Sequence, residues 1–238
     1  MEHAHTPEAI RKRFAEPPHQ SYLRDWVYGG IDGTVTTFAI ISGVVGAQLT
    51  PRVILILGGA SLLADGFAMA AGNYLATRAE QEEFRFAEAV EHRHIETFPE
   101  GEREEVREIL RRSGVNDNLL EGVVDGITQD RNRWVNIMLR DEYGLPAEIR
   151  SAWRAAGSTL SAFLLCGFVP LIPFVARIHD AFLFASTGTA AMFLFIGALK
   201  ARWSVQPWWY SGLGTLAVGG TASAIAYVIG AWLRDFAR

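Results

Sequence analysis

Charge is missing from two long stretches of this 238-residue chain. Residues 26–77 and 152–233 carry almost none, whereas residues 79–150 are dense in it. A water-soluble domain spreads charge over the outer face of each surface helix, so this segregation excludes a single soluble domain. It points to membrane spans with a charged insert between them. Mean hydropathy is only +0.13 because the insert offsets the spans. Cysteine is nearly absent: Cys166 stands alone, which excludes an intrachain disulfide and a cysteine-based metal cluster. Its place in an apolar run predicts a packing role. A basic excess is lacking too. The net charge of −4 comes largely from the insert and disfavours nucleic acid, which is met by basic patches. No nucleotide-binding loop is present, so ATP is not the expected energy source. The polar N-terminus has no signal-peptide pattern.

What the chain does have is apolar length. A span needs about 20 mostly apolar residues, and five segments qualify: 27–49, 53–77, 155–176, 181–199 and 210–233. The first two are joined by a turn at Thr50-Pro51, and the third should be irregular at Pro170 and Pro173. Trp203, Trp208, Trp209 and Tyr210 flank the last gap as an interfacial aromatic belt would. Arg11, Lys12, Arg13 and Arg24, the arginine-rich insert, and Lys200 with Arg202 alternate with poorer loops. By the positive-inside rule the N-terminus, the insert and the 4–5 loop face the cytosol, and the C-terminus faces outward despite Arg234 and Arg238. Residues 1–25 form a cytosolic arm and 24–30 an amphipathic lead-in. Spans follow over 26–78, the insert over 79–151, and further spans over 152–238. His3 and His5 lie in an arm expected to be disordered.

Within "YGGIDGTVTTFAIISGVVGA", residues 28–47, Asp32 is the one carboxylate. An acid near the bilayer centre costs about 2.5–3.5 kcal/mol and usually faces a bundle interior or an ion path. Asp65 sits likewise in the middle of the second span, and each acid precedes a glycine. Met69 and Asn73 follow Asp65 at four-residue steps, on the same helical face. Carboxylate oxygens suit divalent cations, a thioether biases toward transition metals, and intramembrane carboxylates carry protons. Asp32, Asp65, Met69 and Asn73 are therefore read as a cation path.

The insert holds eleven glutamates between Glu80 and Glu108. At about 100° per residue, Glu80, Glu83, Glu91 and His94 share one narrow helical face, with Glu88 at its edge. Like charges on one face repel, and a cation among them would offset this. Met138 and Glu142 share a face of a later helix that Gly144 and Pro146 end. Between them a helix runs to Arg112, breaks at Ser113-Gly114, and resumes near Asn116. The insert is expected to be a bundle of three helices, an architecture in which facing glutamates build metal sites.

The first-span motif, "LADGFAMAAGNYLATRAEQEE" and "RWVNIMLRDEYGL" make the chain resemble the vacuolar iron transporter family, in its bacterial branch. The resemblance covers nearly everything after residue 22. It implies an all-α membrane protein of five transmembrane helices, with a three-helix cytosolic metal-binding insert between spans two and three. It also implies a homodimer with the first spans along a central path, the insert's first helix continuing out of span two, and proton-coupled export of ferrous iron from the cytosol. The family's Glu-x-x-Glu, a second such pair eleven residues on, and a Met-x-x-x-Glu map onto Glu80 and Glu83, Glu91 and His94, and Met138 and Glu142. The family's first-span acid maps onto Asp32. His94 departs from the pattern, as does Gly-Asn-Tyr at 72–74 where Gly-Glu-Tyr is usual.

The expected function is thus an antiporter, not an enzyme, in the bacterial inner membrane. Its cargo is Fe²⁺, with Mn²⁺, Co²⁺, Ni²⁺ or Zn²⁺ as further candidates, and it has no tightly bound cofactor. The expected metal ligands are Glu80, Glu83, Glu88, Glu91, His94, Met138 and Glu142. Two alternatives stand beside it: a membrane-tethered ferroxidase, for which Glu91-x-x-His94 supplies one of the two Glu-x-x-His pairs such sites use, and a metal sensor.

Overall fold

The computed structural model describes residues 4–15, 20–146, 149–203, 205 and 207–236. Among these no strand occurs, and ten α-helices follow in chain order. They are α1 (Pro7–Ala15), α2 (Leu23–Gly46), α3 (Pro51–Thr97), α4 (Pro99–Arg112), α5 (Asp117–Thr128), α6 (Arg131–Asp141), α7 (Ala152–Phe168), α8 (Ile172–Val175), α9 (Ala181–Lys200) and α10 (Trp208–Phe236). Five helical stretches are long and apolar enough to cross a membrane: α2, α3, Ala152–Val175, α9 and α10.

Several expectations change. The arm is not featureless: Pro7 at the first position, Glu8 in the first turn and Lys12 and Arg13 in the last support helix α1. His3 lies outside the described residues, as does Arg238. Residues 24–30 are no separate lead-in but the opening turns of α2. The third apolar stretch is broken as its prolines require, with a 3₁₀ turn at Val169–Leu171 between α7 and α8. The charged segment holds four helical pieces rather than three, namely the far part of α3 followed by α4, α5 and α6.

The chain divides into two compact units, Met1–Met69 with Gly157–Arg238, and Ala70–Ala156. Helix α3, 47 residues long, contributes to both. In the apolar unit α2 packs against α9 and α10, and its glycines bring α7 close. A Cβ on Gly33 would stand 2.9 Å from Phe163 Cα, and one on Gly30 would stand 3.1 Å from Cys166 Sγ. Glycine here lets two helix backbones approach. Ile41, Val44, Ile54, Leu62, Phe163 and Leu171 fill the space around this crossing.

In the charged unit, Phe98 and Pro99 turn the chain out of α3. Proline at the first helical position, Glu100 and Glu102 in the first turn and Arg111 and Arg112 in the last suit α4 to start there and end at Ser113. Val106 and Leu110 from α4, Leu120 and Val124 from α5, and Trp134 and Met138 from α6 form the core. Arg107 of α4 pairs with Glu121 of α5 at 2.5 Å. Asp130 caps α6 by accepting from the backbone N–H of Asn132 at 2.9 Å and of Arg133 at 3.1 Å.

Candidate functional site

Two sets of acids must be located, one in each unit. In the apolar unit Asp32 of α2 is exposed, whereas Gly29, Gly30 and Gly33 beside it are buried. Asp65 of α3 is exposed as well and lies close enough to Asp32 for the two charges to interact. Ser61, one turn earlier, donates to Asp65 Oδ2. Met69 is half-buried and packs against the apolar core. Asn73 is half-buried on α3, past the boundary of the apolar unit.

The charged unit gathers a different set from the one the helical face suggested. Glu91 and His94 lie one turn apart near the end of α3. The turn at Phe98-Pro99 brings Glu102 of α4 against them. His94 Nδ1 is 3.4 Å from Glu102 Oε1 and 3.9 Å from Glu91 Oε1. Glu91 is 1% exposed and Glu102 5%, and each keeps one buried carboxylate oxygen, Oε2, without a hydrogen-bond partner. From beyond α6, Tyr143 donates its hydroxyl to Glu91 Oε1 at 3.0 Å. Glu142, the C-cap of α6, and Glu105 of α4, both exposed, add their charge to the same place. Met138 is fully buried one turn before Glu142, within the core of α4, α5 and α6.

Acids at close quarters hold protons. Burial, then the charges of Glu91, Glu105 and Glu142, push Glu102 up to about 8. Partial removal from water, then the charges of Glu105 and Glu91, push Glu142 up to about 7. A cluster so poised keeps protons up to near-neutral pH. Among the described residues, no three His, Cys, Asp or Glu side chains converge on one ion-sized point as they stand. The side chains would have to close by rotation when an ion displaces the protons.

Glu80 and Glu83 do not join this set. Both are exposed. On a continuous helix they lie about 16 and 12 Å before Glu91, at 1.5 Å per residue. Sharing a helical face aligns groups along an axis without bringing them together. Glu88 is half-buried on α3, nearly a turn before Glu91. Glu102, Glu105 and Tyr143 were not anticipated. A signal for the two glutamates was present: Glu102-x-x-Glu105 stands eleven residues beyond Glu91-x-x-His94, the same offset that separates the latter from Glu80-x-x-Glu83.

A sequence profile described as the VIT family matches residues 23–231. The chain is 30% identical over 208 residues to vacuolar iron transporter 1 of Oryza sativa subsp. japonica, covering 86% of this chain and 82% of that one. It is 29% identical over 210 residues to vacuolar iron transporter 1 of Arabidopsis thaliana, covering 87% and 84%. It is 30% identical over 232 residues to the vacuolar iron transporter of Toxoplasma gondii, covering 90% and 74%.

Proposed function

The chain belongs to the VIT family, and from that premise we propose that it exports ferrous iron from the cytosol across a membrane in exchange for protons. Iron as cargo is supported by the names of its relatives, and the membrane by five long apolar helical stretches. The observation that carries the exchange is the meeting of Glu91 and Glu102, buried with two unpartnered carboxylate oxygens beside His94.

In this reading the cytosolic insert is the loading site. Glu91, His94, Glu102, Glu105 and Glu142 surround the ion, and Met138 supplies a soft sulfur favouring transition metals over Ca²⁺ or Mg²⁺. The protons leave as Fe²⁺ enters, and Mn²⁺, Co²⁺, Ni²⁺ and Zn²⁺ satisfy the same donors. In the apolar unit Asp32, Asp65 and Met69 form the path. Protons arriving from the far side neutralise these acids and weaken their hold on metal. Asp32 and Asp65 are exposed on a single chain, and a carboxylate facing lipid is costly. A second copy covering this face would turn the exposed acids into the lining of a central path. The N-terminus and the insert face the cytosol, and the membrane is a bacterial inner membrane.

The test uses the full chain in liposomes with an imposed pH gradient, a metal-sensitive dye inside and a pH dye beside it. Gradient-dependent Fe²⁺ entry with opposite proton movement, abolished by Asp32→Asn, is expected. Wild-type flux and coupling in Asp32→Asn would remove Asp32 from the path. Binding without flux would overturn transport, and oxygen uptake on adding Fe²⁺ would then identify a ferroxidase.

A further inference from the structure

Tyr143 lies outside the metal-donor pattern yet touches its most buried carboxylate. It follows α6 directly, and its hydroxyl reaches Oε1 of Glu91, fifty-two residues earlier, at 3.0 Å. The tertiary fold makes this contact. The mount on the Tyr143 side is firm. Its backbone N–H bonds the Met138 carbonyl at 3.3 Å, and Leu145 N–H bonds that of Leu139 at 2.9 Å. Gly144 turns the chain between them at φ 68°, and Leu145 packs against the cluster of Ala87, Val135 and Leu139. The backbone that carries the phenol is therefore fixed at Tyr143 and at Leu145.

The two oxygens of Glu91 are thereby made unequal. Oε1 accepts from Tyr143, whereas Oε2 is buried and has no partner. We propose that Tyr143 is a positioning residue that occupies Oε1 and so commits Glu91 to bind metal through Oε2 alone. The inference rests on the metal-site reading given under Proposed function. A glutamate free to offer both oxygens widens the coordination shell and suits large ions; Ca²⁺ takes six to eight oxygens, often including a bidentate carboxylate. A glutamate limited to one oxygen suits the smaller shells of transition metals. Tyr143 selects against large hard cations by withholding an oxygen.

The test uses the full chain in detergent micelles, without cargo turnover, with Co²⁺ and Ca²⁺ as probes. Wild type, Tyr143→Phe, Glu91→Gln and the double variant are titrated, and the visible absorption of bound Co²⁺ is recorded. Outer partners of metal ligands commonly set affinity by about 10–100-fold. Tyr143→Phe is expected to weaken Co²⁺ by about tenfold or more, to lower the Co²⁺/Ca²⁺ preference and to alter the Co²⁺ spectrum. The double variant should match Glu91→Gln, because Tyr143 acts through Glu91. An unchanged preference and spectrum in Tyr143→Phe overturns the inference. So does an equal loss in the Glu91→Gln background, which would mark a merely structural effect. A wild-type chain that binds no Co²⁺ removes the metal site itself, and the inference with it. Metal-free melting profiles of the four chains exclude misfolding as the cause.

Discussion

At the residue scale the chemistry concentrates in Glu102. An isolated glutamate titrates near about 4.3, whereas Glu102 in the fold is pushed up to about 8. The native state thus binds this proton more tightly than the unfolded chain does. The stability it contributes is full below about pH 4.3 and is lost as pH rises toward about 8. The metal-free chain should therefore melt at progressively lower temperature between about pH 5 and 8, as followed by thermal unfolding with a chelator present. Metal affinity should move the opposite way over that window, since an ion must displace the protons of Glu102 and Glu142. Glu102→Gln keeps a neutral side chain in place. It should flatten the melting profile and lower metal affinity by more than about tenfold, or about 1.4 kcal/mol. Glu80→Gln should leave both unchanged, because Glu80 stands exposed about 16 Å away along α3. A Glu80 effect equal to that of Glu102 would return the site to the single face of α3.

At the scale of elements, the glycines are not equivalent. Gly33 meets the backbone of Phe163, and a Cβ there would sit 2.9 Å from its Cα. Backbone cannot step aside as a side chain can, so Gly33→Ala should force α2 from α7 and cost about 1–3 kcal/mol. Gly122, in the middle of α5, has nothing within 4 Å of its would-be Cβ. Gly122→Ala should stabilise by up to about 1 kcal/mol through helix propensity. Thermal unfolding in micelles compares the two, and similar shifts would refute the packing asymmetry. Moving α2 also moves Asp32, so Gly33→Ala should impair flux more than its loss of stability alone would.

At the scale of the whole molecule, the exposed acids of the apolar unit ask for a cover. Tyr28 lies one turn before Asp32 on the same face of α2 and is 66% exposed. If two copies meet along this face, Tyr28→Cys should yield a disulfide-linked dimer under mild oxidation in membranes. The chain's own Cys166 is buried and serves as the unreactive background. A chain that stays monomeric on a non-reducing gel would separate the path from the first-span face.

Much of this was legible in the residues themselves. Apolar length and the absence of charge determine the five candidate spans, because the cost of charge in lipid acts on composition alone. Pro170 and Pro173 announce the break after α7, and Gly144 the end of α6, because each restricts or frees the local backbone. Asp32 and Asp65 stand out for the same reason as the spans. The acidic cluster was legible only as far as one helix reaches. Glutamate or histidine pairs recur at 80/83, 91/94 and 102/105, so an eleven-residue offset alone permits two registers. The fold brings the second and third of these pairs together. Phe98 and Pro99 end α3 between the second and third pairs, and only pairs on either side of such a turn can face one another. The first two pairs lie on one unbroken helix, where rise along the axis keeps them apart. Tyr143 is the extreme case, since a contact across fifty-two residues leaves no local pattern and depends wholly on how α3, α4 and α6 pack.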